Sequence, residues 1–120
     1  MLSFLHFTDI LCQSTTVINQ SPLNIIINQK QSAKIQCHQS ATKTYMYWYR
    51  QQSTNELQLV VYSPYNSLPE YDDNLPKRFN ATRSALEKII LSIENVQTID
   101  TGFYLCAASD TVKGHTESLM

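Results

Sequence analysis

The sequence predicts an all-β fold of two antiparallel sheets packed face to face around one core. Three observations carry this. Short apolar runs alternate with polar residues: Ala33, Ile35 and Cys37 against Lys34, Gln36 and His38, and later Ile89, Leu91 and Ile93. Period two is the strand period. Cys106 can cross the core to a cysteine of the other sheet; Cys37 lies 69 residues upstream, with Trp48 between the two. Cysteine, tryptophan and cysteine in this order place the indole against the bridge. Finally, Tyr104 stands two residues before Cys106. There its hydroxyl can turn back onto the backbone of the preceding corner. Asp100 sits at the base of that corner and can receive Arg78, and Gly102 is expected to supply a tight conformation there, φ > 0 included.

The chain has 120 residues, enough for one domain with a sizeable core, and a net charge of −1 with acids and bases interspersed. That balance argues against nucleic acid as a partner. A long-range disulfide implies an oxidising compartment, and closing so large a loop should stabilise the fold by about 4 kcal/mol in the chain-entropy model. The remaining cysteine of the three, Cys12, falls in a leader-like segment. Residues 1–14 read as a weak or truncated signal peptide, interrupted by His6 and Asp9 and lacking an early Lys or Arg. No apolar run approaches the ~20 residues of a membrane span.

The elements follow in order. Residues 17–20 and 24–28 read as a first strand in two pieces, broken at Ser21-Pro22, as suits an edge strand. The run through Ala33, Ile35 and Cys37 is the next strand, and 39–44 a polar loop. Met46 and Trp48 then point inward, so Tyr47, Tyr49 and Gln51 point out of the sandwich. Two tyrosines and a glutamine in an outward row make a contact surface rather than ordinary solvent surface. Ser53-Thr54-Asn55-Glu56 is a turn in which Asn55 tolerates the left-handed conformation. Leu57, Leu59 and Val61 alternate along another strand, 63–68 is a second polar loop, and 70–76 is an acidic, turn-rich connection. Asp72 and Asp73 lack the spaced oxygen ligands of a calcium loop. Phe79 opens the following strand behind Arg78, and Val96 closes a core built around Trp48, Leu91 and Tyr104. Asn80-Ala81-Thr82 and Asn19-Gln20-Ser21 are N-glycosylation sequons, the second followed by Pro22.

Met46-Tyr47-Trp48-Tyr49-Arg50-Gln51 and Asp100-Thr101-Gly102-Phe103-Tyr104-Leu105-Cys106-Ala107 resemble the variable domain of a T-cell receptor beta chain. The resemblance covers residues 17–109. It implies an immunoglobulin V-type β-sandwich with Greek-key connections over 15–109. Its last edge strand is missing or incomplete, and 110–120 is a disordered tail. It implies a partner-domain interface of Tyr47, Tyr49, Gln51, Leu57 and Leu105, with Gln51 bonding its counterpart across the pair. It places Thr42, Lys43, Tyr45, Tyr65, Asn66 and Ser109 in antigen-contact loops. The implied partners are an alpha-chain variable domain, a peptide held by a major histocompatibility molecule, and signalling subunits reached through the full receptor at the extracellular side of the plasma membrane.

No chemistry competes with binding. His6, His38 and His115 cannot gather with metal spacing, and no nucleophile elbow is present. With only Gly102 and Gly114, the chain has no glycine-rich phosphate loop. No cofactor, metal or small-molecule substrate is expected, and the chain does not read as an enzyme. A V-type domain of another immune or adhesion receptor, antibody light chain-like or innate, is the alternative. The C-terminal end separates the readings: no Phe-Gly-x-Gly bulge follows Cys106. Asp110-Thr111-Val112 can be encoded by GAC-ACA-GTG, which contains CACAGTG, the recombination signal that the resembled segments carry after their coding end. The chain therefore also reads as an unrearranged germline segment.

Overall fold

A computed structural model describes residues 17–21 and 29–111. The leader over 1–14 with Cys12, the strand piece over 24–28 and the tail from 112 onward lie outside the described residues.

Eight strands form two antiparallel four-stranded sheets. Strands β1 (Ile18–Ser21), β2 (Ala33–Gln39), β7 (Lys88–Ile93) and β6 (Phe79–Ala85) make one sheet in the order β1-β2-β7-β6. Strands β5 (Glu70–Tyr71), β4 (Leu57–Pro64), β3 (Tyr45–Gln51) and β8 (Phe103–Ser109) make the other, in the order β5-β4-β3-β8. Among the described residues β8 is the outermost strand of its sheet.

The alternation seen in the sequence is the alternation of burial. In β2 every second residue, from Ala33 to Gln39, is buried; in β7 Ile89, Leu91 and Ile93 are. These side chains meet Met46, Trp48, Val61, Phe79, Ala81, Val96 and Tyr104 in one core. Cys37 and Cys106 are bonded across it, with Cα atoms 6.4 Å apart. Trp48 is the register partner of Cys106 on the neighbouring strand and is fully buried.

The corner before β8 is held by several polar contacts. The Tyr104 hydroxyl donates to the Asp100 carbonyl at 2.5 Å. Buried Gln20 of β1 donates to the Tyr104 carbonyl at 2.8 Å, tying an edge of one sheet to the other. Arg78 donates from both terminal nitrogens to the Asp100 carboxylate, at 2.6 and 2.9 Å. That carboxylate also accepts the Gln97 N–H at 2.9 Å.

Two expectations are corrected. Gly102 does not use left-handed backbone: no described glycine has positive φ. It is there because a Cβ would lie 2.9 Å from the Gln51 carbonyl oxygen, so only a bare α-carbon lets the corner close against β3. The segment 70–76 is not wholly a connection, since Glu70 and Tyr71 pair with Tyr62 and Val61 as a short edge strand. Two residues are too short a run to carry a strand signal; the pairing is set by β4 beside it. Asn55 does take left-handed backbone, at φ 68°, as do Asn66 and Asn95, and also Lys30, which the turn at 29–32 forces there.

Candidate binding site

The two sheets turn different faces outward. On β1-β2-β7-β6 the outer positions are mostly polar: Lys34, Gln36 and His38 of β2, and Asn80, Thr82 and Ser84 of β6, are exposed, with Ile90 of β7 half-buried among them. On β4-β3-β8 the outer positions form a second cluster of Tyr47, Tyr49, Leu105 and Ala107, flanked by Tyr45, Leu59 and Tyr62. This explains why β3 departs from alternating burial: Met46 and Trp48 are buried in the core, while Tyr47 and Tyr49 are only 3% and 2% exposed on the opposite side.

The tyrosines pack on one another. Tyr47 lies 5.4 Å from Tyr62 and 6.0 Å from Tyr49 between ring centroids, and Tyr45 stacks on Tyr62 at 5.8 Å. Such pairs add to the burial of their area. Burial, then the neighbouring Tyr47 and Tyr45 hydroxyls and the Glu70 carboxylate, push the Tyr62 phenol above its ordinary value. The Ser109 hydroxyl donates to the Thr111 carbonyl at 2.7 Å, so it accepts the Tyr47 hydroxyl proton at 2.9 Å. The face is thus a packed aromatic surface whose Tyr47 hydroxyl is engaged at the loop end.

At the other end of the face, Gln51 donates from its carboxamide nitrogen to the carbonyl and side-chain oxygens of Asn55, at 2.9 and 3.2 Å. The structure therefore turns this amide back onto its own turn, where the sequence reading sends it outward. Leu57, 39% exposed, sits beside Gln51 at the rim, and Leu105 is buried in the cluster.

The loop end is more ordered than its polar sequence suggests. Thr42 is exposed, as are Tyr65 and Asn66 in the turn after β4. Lys43 is half-buried, and its ammonium reaches Asp110 at 3.4 Å, a link between the first loop and the end of β8. Tyr45, expected in the loop, is the first residue of β3 and belongs to the tyrosine cluster.

Two residues hold this end together: Gln39, read from the sequence as the start of the polar loop 39–44 but the last residue of β2, and Arg83, given no role there. Gln39 is buried at the end of β2; it accepts the Lys43 N–H and donates to the Lys43 carbonyl, both at 2.9 Å. Arg83 of β6 uses all five of its N–H groups. They go to the carbonyls of Lys43 and Thr44 in the first loop, of Ser63 in β4, and twice to Leu86 in the β6–β7 turn. Its guanidinium also lies 5.5 Å from the Tyr65 ring centre. Burial pulls its pKa below the ordinary value, with the Tyr65 and Glu87 charges opposing. The signal was in the alternation: Arg83 follows Phe79 and Ala81 at inward parity, and Gln39 follows Ala33, Ile35 and Cys37. A polar residue at an inward position needs partners inside.

No three His, Cys, Asp or Glu gather to hold a metal among the described residues, and none of their helices is long and apolar enough to cross a membrane.

The immunoglobulin V-set domain family matches residues 20–119 of this chain. Human T cell receptor beta variable 7-2 is 32% identical over 92 residues, covering 77% of this chain and 80% of the relative. A mouse T-cell receptor beta chain V region, C5, is 33% identical over 94 residues, covering 78% and 76%. Among solved structures, a chain from work on the structural basis of T cell specificity and activation by the bacterial superantigen toxic shock syndrome toxin-1 superposes with a TM-score of 0.76. It is 27% identical and covers 84% of this chain and 87% of that one.

Proposed function

We propose, from the premise that this chain belongs to the immunoglobulin V-set family and within it to the T cell receptor beta variable proteins, that it is an antigen-recognition domain working as half of a pair. Domains of this family bind through their surfaces and are not enzymes. The partner is an alpha-chain variable domain, and the joint surface reads a peptide held by a major histocompatibility molecule. The receptor's constant region would hold the domain on the extracellular side of the plasma membrane and connect it to signalling subunits.

One observation carries the pairing: the outer face of β4-β3-β8 is an aromatic and aliphatic cluster, while the outer face of the other sheet is mostly polar. Interfaces concentrate tyrosine and exclude charge at their centre. The loops at 40–44 and 65–68 and the end of β8 lie along the same end of that sheet, where the Tyr65 N–H donates to the Thr44 carbonyl at 3.1 Å. A pair formed through the sheet face would therefore present both loops together.

The test is co-purification with an alpha-chain variable domain. Leu57→Glu and Gln51→Glu place charge at the rim of the face, where neither side chain supports the core. Both should reduce pairing at least tenfold and leave the melting temperature of the unpaired domain within a degree or two, since surface changes are commonly within about 0.5 kcal/mol. Pairing at the unaltered level in both variants refutes this face as the interface.

A further inference from the structure

We propose that Asn80 is an N-glycosylation site and that Asn19, the other sequon, stays unmodified, so that one glycan marks the polar outer face of β1-β2-β7-β6. Both asparagines are exposed on that face, so exposure alone does not choose between them.

The residue that follows each sequon does choose, and the folded strand keeps Asn80 at the surface. Asn80 and Thr82 are two apart on β6, so strand alternation puts both side chains outside while Ala81 points into the core. The Tyr71 hydroxyl accepts the Ala81 N–H at 2.9 Å. Its proton goes to Asn80 at 3.2 Å, which makes the receiving atom the carboxamide oxygen. The amide nitrogen, the atom that carries the sugar, is thereby set on the other side of the carboxamide, away from Tyr71. Asn80 also stands at the rim of a shallow groove of about 330 Å³ that it lines with Tyr71, Leu75, Pro76, Lys77 and Phe79.

Transfer takes an oligosaccharide from a lipid pyrophosphate donor. The Asn80 Nδ2 forms a bond to the anomeric carbon, the carbon–oxygen bond to the pyrophosphate breaks, and one amide proton leaves. The hydroxyl two residues on must fold back towards the asparagine for this. Thr82 is followed by Arg83 and keeps that freedom in the nascent chain. Ser21 is followed by Pro22, which restricts Ser21 to extended backbone and opposes the turn.

The placement agrees with the pairing proposed above without depending on it. A glycan on Asn80 projects from the polar sheet, and the tyrosine face lies on the other side of the sandwich.

The full chain, expressed through a eukaryotic secretory pathway, is treated with a peptide N-glycosidase, which turns an occupied Asn into Asp, and is then mapped by peptide mass. The expected result is Asp at 80 and Asn at 19, with one glycan per chain. Asn80→Gln and Thr82→Ala should each give a chain without glycan, and Asn19→Gln should be unchanged. The two loss variants act through different residues, so a folding defect in one does not decide the outcome. Unmodified wild-type chain, or Asp found at 19, overturns the proposal.

Discussion

Replacing Arg83 by Met keeps an unbranched stem and removes all five donors. Four carbonyls, on Lys43, Thr44, Ser63 and Leu86, then lose a charged partner. Hydrogen bonds to charged groups contribute roughly 1.5–3 kcal/mol each when deleted singly. They are not additive here, because the guanidinium is half-buried and regains hydration cost when it leaves. A net loss of about 2–4 kcal/mol is expected, which lowers the melting temperature of a domain this size by on the order of 10 °C. Arg83→Lys should recover little: one nitrogen cannot span four carbonyls. The decisive readout is local. The Lys43 N–H bonds to Gln39 and the Tyr65 N–H to Thr44, and Arg83 holds the carbonyls of Lys43 and Thr44 themselves. Hydrogen exchange at Lys43 and Tyr65 should therefore accelerate on the order of tenfold or more in native conditions. Leu91→Ala is the control, a core cavity that costs a similar 2–5 kcal/mol without touching the loops. It should speed exchange by global unfolding and leave the ratio of loop to core rates unchanged. If Arg83→Met costs under about 0.5 kcal/mol and the two amides keep their wild-type ratio to the core, the clamp reasoning is wrong.

Asp100→Ala leaves Arg78 without its carboxylate; because Arg78 is 22% exposed while Asp100 is 1% exposed, the loss should be about 2–3 kcal/mol rather than the full cost of a buried pair, read by urea unfolding. An unchanged midpoint would show the pair to be screened by solvent. Burial pushes the Tyr104 phenol up to about 12. An acid raised in the folded state keeps its full contribution below the unfolded value near 10 and loses it as pH rises towards 12, so stability should fall by roughly 2–3 kcal/mol across that window. Tyr104→Phe should flatten most of that fall, and an equally steep fall in the variant would assign it elsewhere. The germline reading predicts that the codons for Asp110, Thr111 and Val112 contain CACAGTG; sequencing the locus decides, and any other codons there end that reading.

Most of the sandwich was legible because its signals are local or paired by distance along the chain. Alternation exposed β2 and β7, and cysteine, tryptophan and tyrosine at matched offsets marked the bridge and the corner. What stayed hidden depends on neighbours. Glu70 and Tyr71 become a strand only because β4 offers an edge. Gly102 was read for its backbone freedom, but its role is the close approach of Gln51 from another strand. Arg83 drew no reading from the sequence although its parity is inward, and its partners come from a loop, strand β4 and a turn.

The tyrosine face shows how one strand serves two cores. Trp48 and Tyr49 are adjacent in β3 and both essentially buried, one against the bridge and the other on the outer face. The pairing of β3 with β4 shifts register between those two residues, while its pairing with β8 runs without a shift. A bulge bends and twists the strand locally. It falls where β3 passes from the loop end, with Tyr45, Tyr47 and Tyr62 packed together, to the end where Tyr49 meets Leu59 and Gln51 meets Leu57. The face therefore has two ends: an aromatic one whose Tyr47 hydroxyl joins the end of β8 through Ser109, and one of Tyr49 and Leu59 that is open at Leu57. A partner with a matching face would gain its apolar contact at the second end and its alignment with the loops at the first. Charge placed at Leu57 should thus weaken pairing, whereas loss of the Tyr47 hydroxyl should alter the loop end that the pair presents.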